Sequence, residues 1–180
     1  MTHKALFLDR DGVINSDSGY VHTIEDFHFI DGIFELCQKA ISSGYLIIIV
    51  TNQAGIGRGL YTLEDFNILT QWMCQTFLVN NVIITEVYYS PFHPTCGIGK
   101  YKKDHETRKP KPGMILNAAN KYNLNLKDSV LIGDSLTDIK AGQSAGIEKN
   151  IFFNQNNKSS FRKHLNCHFI ENLEEAKCLL

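Results

Sequence analysis

The chain has 180 residues, 18 basic against 19 acidic side chains and a hydrophobic fraction of 43%, which points to one domain spanning residues 1–180 around a single core. A formal net charge of −1 provides no overall attraction for nucleic acid or an anionic membrane, and the longest apolar runs, residues 46–50 and 82–84, are far shorter than the roughly 20 residues of a membrane-spanning helix. Five cysteines without a Cys-x-x-Cys spacing read as free, mostly buried thiols, and the four apolar residues ahead of Asp9 are too few for a secretory signal, so the expected compartment is the cytoplasm.

Ala5-Leu6-Phe7-Leu8 is too short and too continuous for a helix and predicts a buried strand. Residues 31–43 place Ile33, Leu36, Cys37, Ala40 and Ile41 at helical spacing, with Gly44 where a helix would stop. The run Tyr45-Leu46-Ile47-Ile48-Ile49-Val50 is the strongest strand signal, β-branched and apolar on both faces. Thr62 with Asp65 reads as a capping box for a helix reaching Val79; residues 86–89 predict a strand, and residues 112–122 a helix with Pro112 in its first turn. A buried strand over 129–132, a helix over 135–145 ending at Gly146, a strand over 151–153 and a helix capped by Asn172 with Glu175 follow. Strands and helices alternating in this way imply parallel pairing through right-handed crossovers, an α/β doubly wound parallel sheet.

In such a sheet ligands bind beyond the carboxyl ends of the strands, near the point where strand order reverses. The polar residues that follow the apolar runs are Asp9-Arg10-Asp11-Gly12, Thr51-Asn52-Gln53 and Gly133-Asp134, all expected at one edge. Asp9, Asp11 and Asp134 are hard oxygen donors without accompanying histidines, the set that suits Mg²⁺, which works together with substrate phosphate oxygens. Phosphoryl transfer is the reaction class that follows. Asp9 could attack phosphorus to form an aspartyl phosphate. Asp11 could protonate the leaving oxygen and later take a proton from water, which calls for burial or a like charge beside it. Thr51 offers a hydroxyl and a backbone N–H to the phosphoryl oxygens, and Lys109 a cation. Taken singly, each piece has a plain reading as a solvated turn, a helix start or an exposed lysine. Their joint placement at strand ends favours a site.

The stretches Asp9-Arg10-Asp11-Gly12-Val13, Val50-Thr51-Asn52 and Gly133-Asp134-Ser135-Leu136-Thr137-Asp138 resemble the motifs of the haloacid dehalogenase (HAD) superfamily. Adding Gly19-Tyr20-Val21, Phe29-Ile30-Asp31-Gly32, Thr51-Asn52-Gln53-Ala54-Gly55-Ile56 and Arg108-Lys109-Pro110-Lys111-Pro112-Gly113-Met114, the chain looks like the D-glycero-D-manno-heptose 1,7-bisphosphate 7-phosphatases and their relatives, the histidinol phosphatases. The resemblance covers nearly the whole chain and thins after Gly146. It implies a Rossmann-like HAD core without a cap domain, and a Mg²⁺-dependent phosphatase acting through an aspartyl phosphate on a small phosphorylated sugar, a heptose bisphosphate of lipopolysaccharide precursor synthesis. By that similarity Asp9 is the nucleophile, Asp11 the acid/base, and Asp9, the backbone carbonyl of Asp11 and Asp134 the metal ligands. Thr51 and Lys109 would steady the phosphoryl group and Arg108 would recognise substrate. Asp17, Ser18, Gly19 and Tyr20, with Thr51, Asn52, Gln53, Ala54 and Lys109, would contact it. After the metal aspartate, where relatives often carry lysine, this chain has Ser135.

Many members of that family hold a structural zinc through Cys-x-His and a later Cys-x-Cys; the matching positions here are Ser90, Phe92, His105 and Thr107. Structural Zn²⁺ needs four N or S ligands, so zinc is not expected. A substitute set would have to come from His93, Cys96 and His105, whose plain reading is loop surface. Residues 100–111 carry Lys100, Lys102, Lys103, Arg108, Lys109 and Lys111 against Asp104 and Glu106, a local net of +4 that leaves −5 for the remainder. A solvated lysine-rich face is the plain account, attraction of a second substrate phosphate the functional one. Histidinol phosphatase is the enzymatic alternative; a phospho-receiver module, which would carry its phosphorylated Asp on a middle strand, and an inactive scaffold are the others. The expected partner is thus a small phosphorylated sugar, with no nucleic acid and no membrane, and the expected state a monomer.

Overall fold

The structure, a computed structural model, describes residues 2–154 and 166–180. Strands β1 (Lys4–Leu8), β2 (Tyr45–Asn52), β3 (Ile84–Ser90), β4 (Val130–Gly133), β5 (Lys149–Phe153) and β6 (His168–Ile170) form one sheet in the order β3-β2-β1-β4-β5-β6, with every neighbouring pair parallel. Helices α1 (Ile33–Ser42), α2 (Ala54–Gly57), α3 (Leu63–Val79), α4 (Gly113–Tyr122), α5 (Leu136–Ala145) and α6 (Leu173–Lys177) connect and cover them. The chain moves outward from β1 to β3 and then returns to β4 on the other side of β1. That reversal opens a crevice beyond the carboxyl ends of β1, β2 and β4, where the three polar clusters lie.

Period-two alternation divides the core between the two faces of the sheet. Leu6, Leu8, Ile47, Ile49, Val130 and Ile132 pack with Leu36 of α1, Met73 and Phe77 of α3 and Leu173 of α6. On the opposite face, Ala5, Phe7, Ile48, Val50 and Leu131 pack with Met114, Ile115 and Ala118 of α4 and Ile139 of α5. The segment between β1 and α1 is irregular but anchored, with Phe27 and Phe29 packed against Trp72 at ring distances of 5.6 and 5.7 Å. Among the described residues no helix is long and apolar enough to cross a membrane.

Several predicted boundaries move. β2 runs beyond Val50 because Thr51 and Asn52 still pair with Tyr89 and Ser90 of β3. Pro112 is the N-cap of α4 rather than part of its first turn. α2 and β6 were not expected: α2 is a single turn of Ala54-Gly55-Ile56-Gly57, and β6 has three residues of which only Ile170 is buried, too short to display a period. The Thr62–Asp65 capping box and the left-handed Gly146 at the end of α5 are present. All five cysteines are free, but only Cys37 is buried, contrary to the expectation of mostly buried thiols. Cys96 and Cys178 are exposed.

Candidate active site

Asp9 continues the β1 ladder, its N–H donating to Ile132 O of β4 at 3.0 Å, so its side chain emerges between two strand ends. Gly12 turns the chain at φ +86°, and a Cβ there would lie 2.0 Å from Asp134 Oδ2. A glycine is therefore required twice over, for the backbone angle and for the approach of Asp134. At Gly133 the close approach alone calls for glycine, since a Cβ would come within 2.2 Å of Asp138 Cβ.

Lys109 is buried, and its ammonium is ringed by three oxygens: Nζ donates to Val50 O at 2.8 Å and pairs with Asp9 Oδ1 at 2.8 Å and Asp138 Oδ1 at 2.6 Å. Burial works against its charge, but the carboxylates of Asp138 and Asp9 outweigh it and raise the Lys109 pKa. Asp138 is held in turn by the backbone N–H and hydroxyl of Ser135 in the capping box of α5. Ser135, at the position where relatives often carry lysine, is thus a helix cap. Asn52 clamps the main chain of Lys109, its Oδ1 accepting from Lys109 N at 3.0 Å and its Nδ2 donating to Lys109 O at 3.1 Å.

Asp11 receives donors from every side: Arg10 through Nε and Nη2, Asn15 Nδ2 at 3.1 Å and Gln53 Nε2 at 3.0 Å. Arg10, itself buried, also donates to Val21 O at 2.6 Å. A proton on Asp11 therefore requires one of these donors to give way, and the crowding of like charge expected around it surrounds Asp9 instead. Thr51 is buried beside them, its hydroxyl accepting from Gln53 Nε2 at 2.8 Å.

These groups border a cavity of about 420 Å³. Asp9, Asp11, Thr51, Lys109 and Asp134 line it, as do Asp17, Gly19, Tyr20, Asn52, Gln53, Ala54 and Arg108; of the predicted site residues Ser18 alone does not. Asn52 and Gln53 border it with their side-chain polar groups already engaged by protein. Tyr20 is 46% exposed, sits at φ 55° and receives a hydrogen bond on its hydroxyl from Arg58. Asp138, Tyr61 and Arg58 were given no role by the sequence reading. Asp138 lies within the Gly133–Asp138 motif, where its spacing from Ser135 fits a capping box.

Asp9, Asp134 and Asp138 each offer one carboxylate oxygen within 4.8 Å of the others. Three carboxylates face one ammonium, and the surplus negative charge registers in both remaining acids. Burial, then Asp138, pushes Asp134 up to about 7, and the same two causes raise Asp9 well above the usual carboxylate range. Hard oxygen donors with unbalanced negative charge fit a divalent cation. Because Asp138 is engaged by Lys109 and Ser135, Asp9 and Asp134 are the carboxylates suited to hold it. The Asp11 side chain is not in the cluster, which leaves only its backbone carbonyl for such an ion.

The positions aligned with a zinc site come together on different chemistry. Thr107 Oγ1 lies 3.2 Å from Ser90 Oγ and 2.8 Å from His105 Nδ1, and the Phe92 ring stacks on His105 at 4.0 Å. One nitrogen among four candidate ligands does not fit structural zinc. Arg108 Nη1 donates to Phe92 O at 2.9 Å, so this packing also places Arg108. Of the six basic residues between 100 and 111, Arg108 and Lys109 alone line the cavity. Lys111 pairs with Asp104 at 2.8 Å, and Lys100 and Lys103 lie over aromatic rings.

Comparison with known proteins gives a consistent picture. Residues 106–152 match the family model described as HAD-hydrolase-like. The chain is 54% identical over 147 residues to the D-glycero-alpha-D-manno-heptose-1,7-bisphosphate 7-phosphatase of Burkholderia mallei, covering 82% of this chain and 78% of that protein. It is 48% identical over 147 residues to the D-glycero-beta-D-manno-heptose-1,7-bisphosphate 7-phosphatase of Vibrio cholerae, covering 82% and 79%. Among solved structures, the D,D-heptose 1,7-bisphosphate phosphatase of B. bronchiseptica complexed with magnesium and phosphate superposes with a TM-score of 0.86 over 98% of this chain and 97% of that one, at 24% identity, and so shares the fold.

Proposed function

The chain belongs to the heptose-1,7-bisphosphate 7-phosphatase family of HAD-like hydrolases, and on that premise we propose that it is a Mg²⁺-dependent cytoplasmic phosphatase that removes the 7-phosphate from D-glycero-D-manno-heptose 1,7-bisphosphate. The observation that carries this reading is the buried ion-pair chain Asp9–Lys109–Asp138 beside Asp134 and Thr51 at the strand ends. The same fold solved with magnesium and phosphate in the B. bronchiseptica enzyme supports it.

The phosphoryl group is seated on Thr51 and Lys109, whose charge Asp138 maintains. A carboxylate oxygen of Asp9 attacks phosphorus, the bond to the leaving oxygen breaks, and Asp11 supplies the proton that this oxygen needs. Water then attacks the aspartyl phosphate and passes its proton to Asp11. The P–O bond to Asp9 breaks, releasing inorganic phosphate and restoring the Asp9 carboxylate and protonated Asp11. Mg²⁺ held by Asp9, the Asp11 carbonyl and Asp134 would neutralise phosphoryl oxygens and the surplus of carboxylates. Arg108, fixed on Phe92 O at the cavity wall, is the cation for the second phosphate.

The test is steady-state hydrolysis with Mg²⁺ of both heptose bisphosphate anomers and of histidinol phosphate. A higher kcat/KM on a heptose bisphosphate is expected. Preference for histidinol phosphate would overturn the substrate, and no phosphate release from any of them would overturn the activity.

A further inference from the structure

Tyr61 lies outside the motifs that mark the site, yet it is 7% exposed and lines the cavity. Its ring covers Gly55, where a Cβ would come within 2.1 Å of Tyr61 Cε1, and it stacks on His22 at 5.0 Å. Its hydroxyl donates to Gln53 Oε1 at 2.5 Å. The other end of that amide touches Asp11 Oδ2 at 3.0 Å and Thr51 Oγ1 at 2.8 Å. A carboxylate only accepts, so the NH₂ must face Asp11 and the carbonyl oxygen must face Tyr61. Gln53 N–H donates to Ser90 O at 2.8 Å, which fixes the backbone as well. Burial pushes the Tyr61 hydroxyl up to about 12, so it stays a donor throughout the working range.

We propose that Tyr61 and Gln53 are a positioning pair for acid catalysis: the Tyr61 hydroxyl locks the Gln53 amide, and the amide sets the spacing between the Asp11 carboxyl and the Thr51 seat of the phosphoryl group. The proposal rests on the reading of Asp11 as the acid/base. Without the hydroxyl the buried carbonyl of Gln53 loses its donor, and the amide is free to turn its NH₂ away from Asp11. Misplacing the acid costs most when the leaving oxygen is basic. A sugar alkoxide needs the proton as the P–O bond breaks, whereas p-nitrophenolate leaves without it.

The experiment measures kcat/KM with Mg²⁺ on the heptose bisphosphate and on p-nitrophenyl phosphate for the wild type, Tyr61→Phe, Gln53→Leu and Asp11→Asn. The alkyl-to-aryl ratio of kcat/KM is expected to fall about 3- to 10-fold in Tyr61→Phe and further in Gln53→Leu, in the direction set by Asp11→Asn. Because both substrates are assayed on one preparation, the ratio does not depend on how much of a variant folds. A Tyr61→Phe ratio equal to that of the wild type, while Asp11→Asn lowers it, overturns the positioning role alone. If Asp11→Asn itself leaves the ratio unchanged, the acid/base reading of Asp11 falls, and this proposal with it.

Discussion

Lys109 Nζ lies 2.6 Å from Asp138 Oδ1, and both side chains are 2% exposed. Removing one member of a buried pair leaves the other charge without compensation, at a cost of about 3–5 kcal/mol. Lys109→Met would strand Asp9 and Asp138 together, so the metal-free protein should lose that order of unfolding free energy in urea. Turnover should fall by roughly 10²-fold or more, since the cation meant for the phosphoryl oxygens is gone. A Lys109→Met protein as stable and as active as the wild type would remove Lys109 from both roles.

Asp9→Asn keeps the volume and a similar hydrogen-bonding shape at the end of β1, so the circular dichroism spectrum should be unchanged. It deletes the nucleophile, and kcat should fall by about 10⁴-fold or more. Acid quenching of wild-type enzyme during turnover of ³²P-labelled substrate should leave label on the protein, and the Asn variant should carry none. Label retained by Asp9→Asn would move the nucleophile elsewhere.

Asp9, Thr51 and Asp134 were legible in the sequence because each lies at or just past a run of buried apolar residues, and in a parallel sheet those positions converge on one edge. The alternation of strands and helices gave the layers for the same reason: a strand covered on both faces leaves no ambiguity of period. Asp138 was harder to read, since a carboxylate in the first turn of a helix already has a sufficient explanation as a cap of Ser135, and it makes that contact as well as the ion pair. Tyr61 and Arg58 carry no local signal, because Tyr61 meets Gln53 across the turn of α2 and Arg58 meets Tyr20 in the segment between β1 and α1, contacts that only the fold makes. The capping functions assigned to Asn172 and Thr62 needed no tertiary information. The clamp of Asn52 on Lys109 spans two distant segments, and only the fold shows it.

Gly12 combines a left-handed backbone angle with contact on Asp134. Gly12→Ala should cost about 1–2 kcal/mol for the backbone conformation alone. The added methyl must also displace Asp134, so activity and Mg²⁺ affinity should fall together. A Gly12→Ala enzyme with unchanged Mg²⁺ dependence would show that Asp134 does not need its present position.

The metal-free protein should lose stability as pH rises. Asp134 is raised to about 7 by burial and then by Asp138, against an unfolded value near 4. Between those values the folded state binds more protons than the unfolded state, so unfolding free energy declines with pH, and the raised pKa of Asp9 acts in the same direction. From Asp134 alone the expected decline between pH 4 and 7 is on the order of 3 kcal/mol, read as a falling urea midpoint. Saturating Mg²⁺, which binds the ionised carboxylates, should flatten or reverse the slope. A metal-free midpoint that stays level or rises across this window would contradict the crowding of Asp9, Asp134 and Asp138.

The loop between β3 and α4 should be independent of metal. Ser90, Thr107 and His105 are linked by hydrogen bonds, Phe92 stacks on His105, and the carbonyl of Phe92 holds the Arg108 guanidinium. Packing thus occupies the place that four thiolate or imidazole ligands would need, and it is tied directly to a cavity-lining cation. Purified protein should contain no stoichiometric zinc, and a zinc chelator should leave the melting temperature where it was. His105→Ala removes the stacked ring and the acceptor for Thr107, so it should loosen Phe92 and, through its carbonyl, Arg108. If Arg108 recognises the second phosphate, the variant should raise KM for the bisphosphate severalfold with a smaller change in kcat. The KM for p-nitrophenyl phosphate, which has no second phosphate, should change less. Equal rises in both KM values would detach this packing from substrate recognition, and stoichiometric zinc would overturn the metal-free account of the loop.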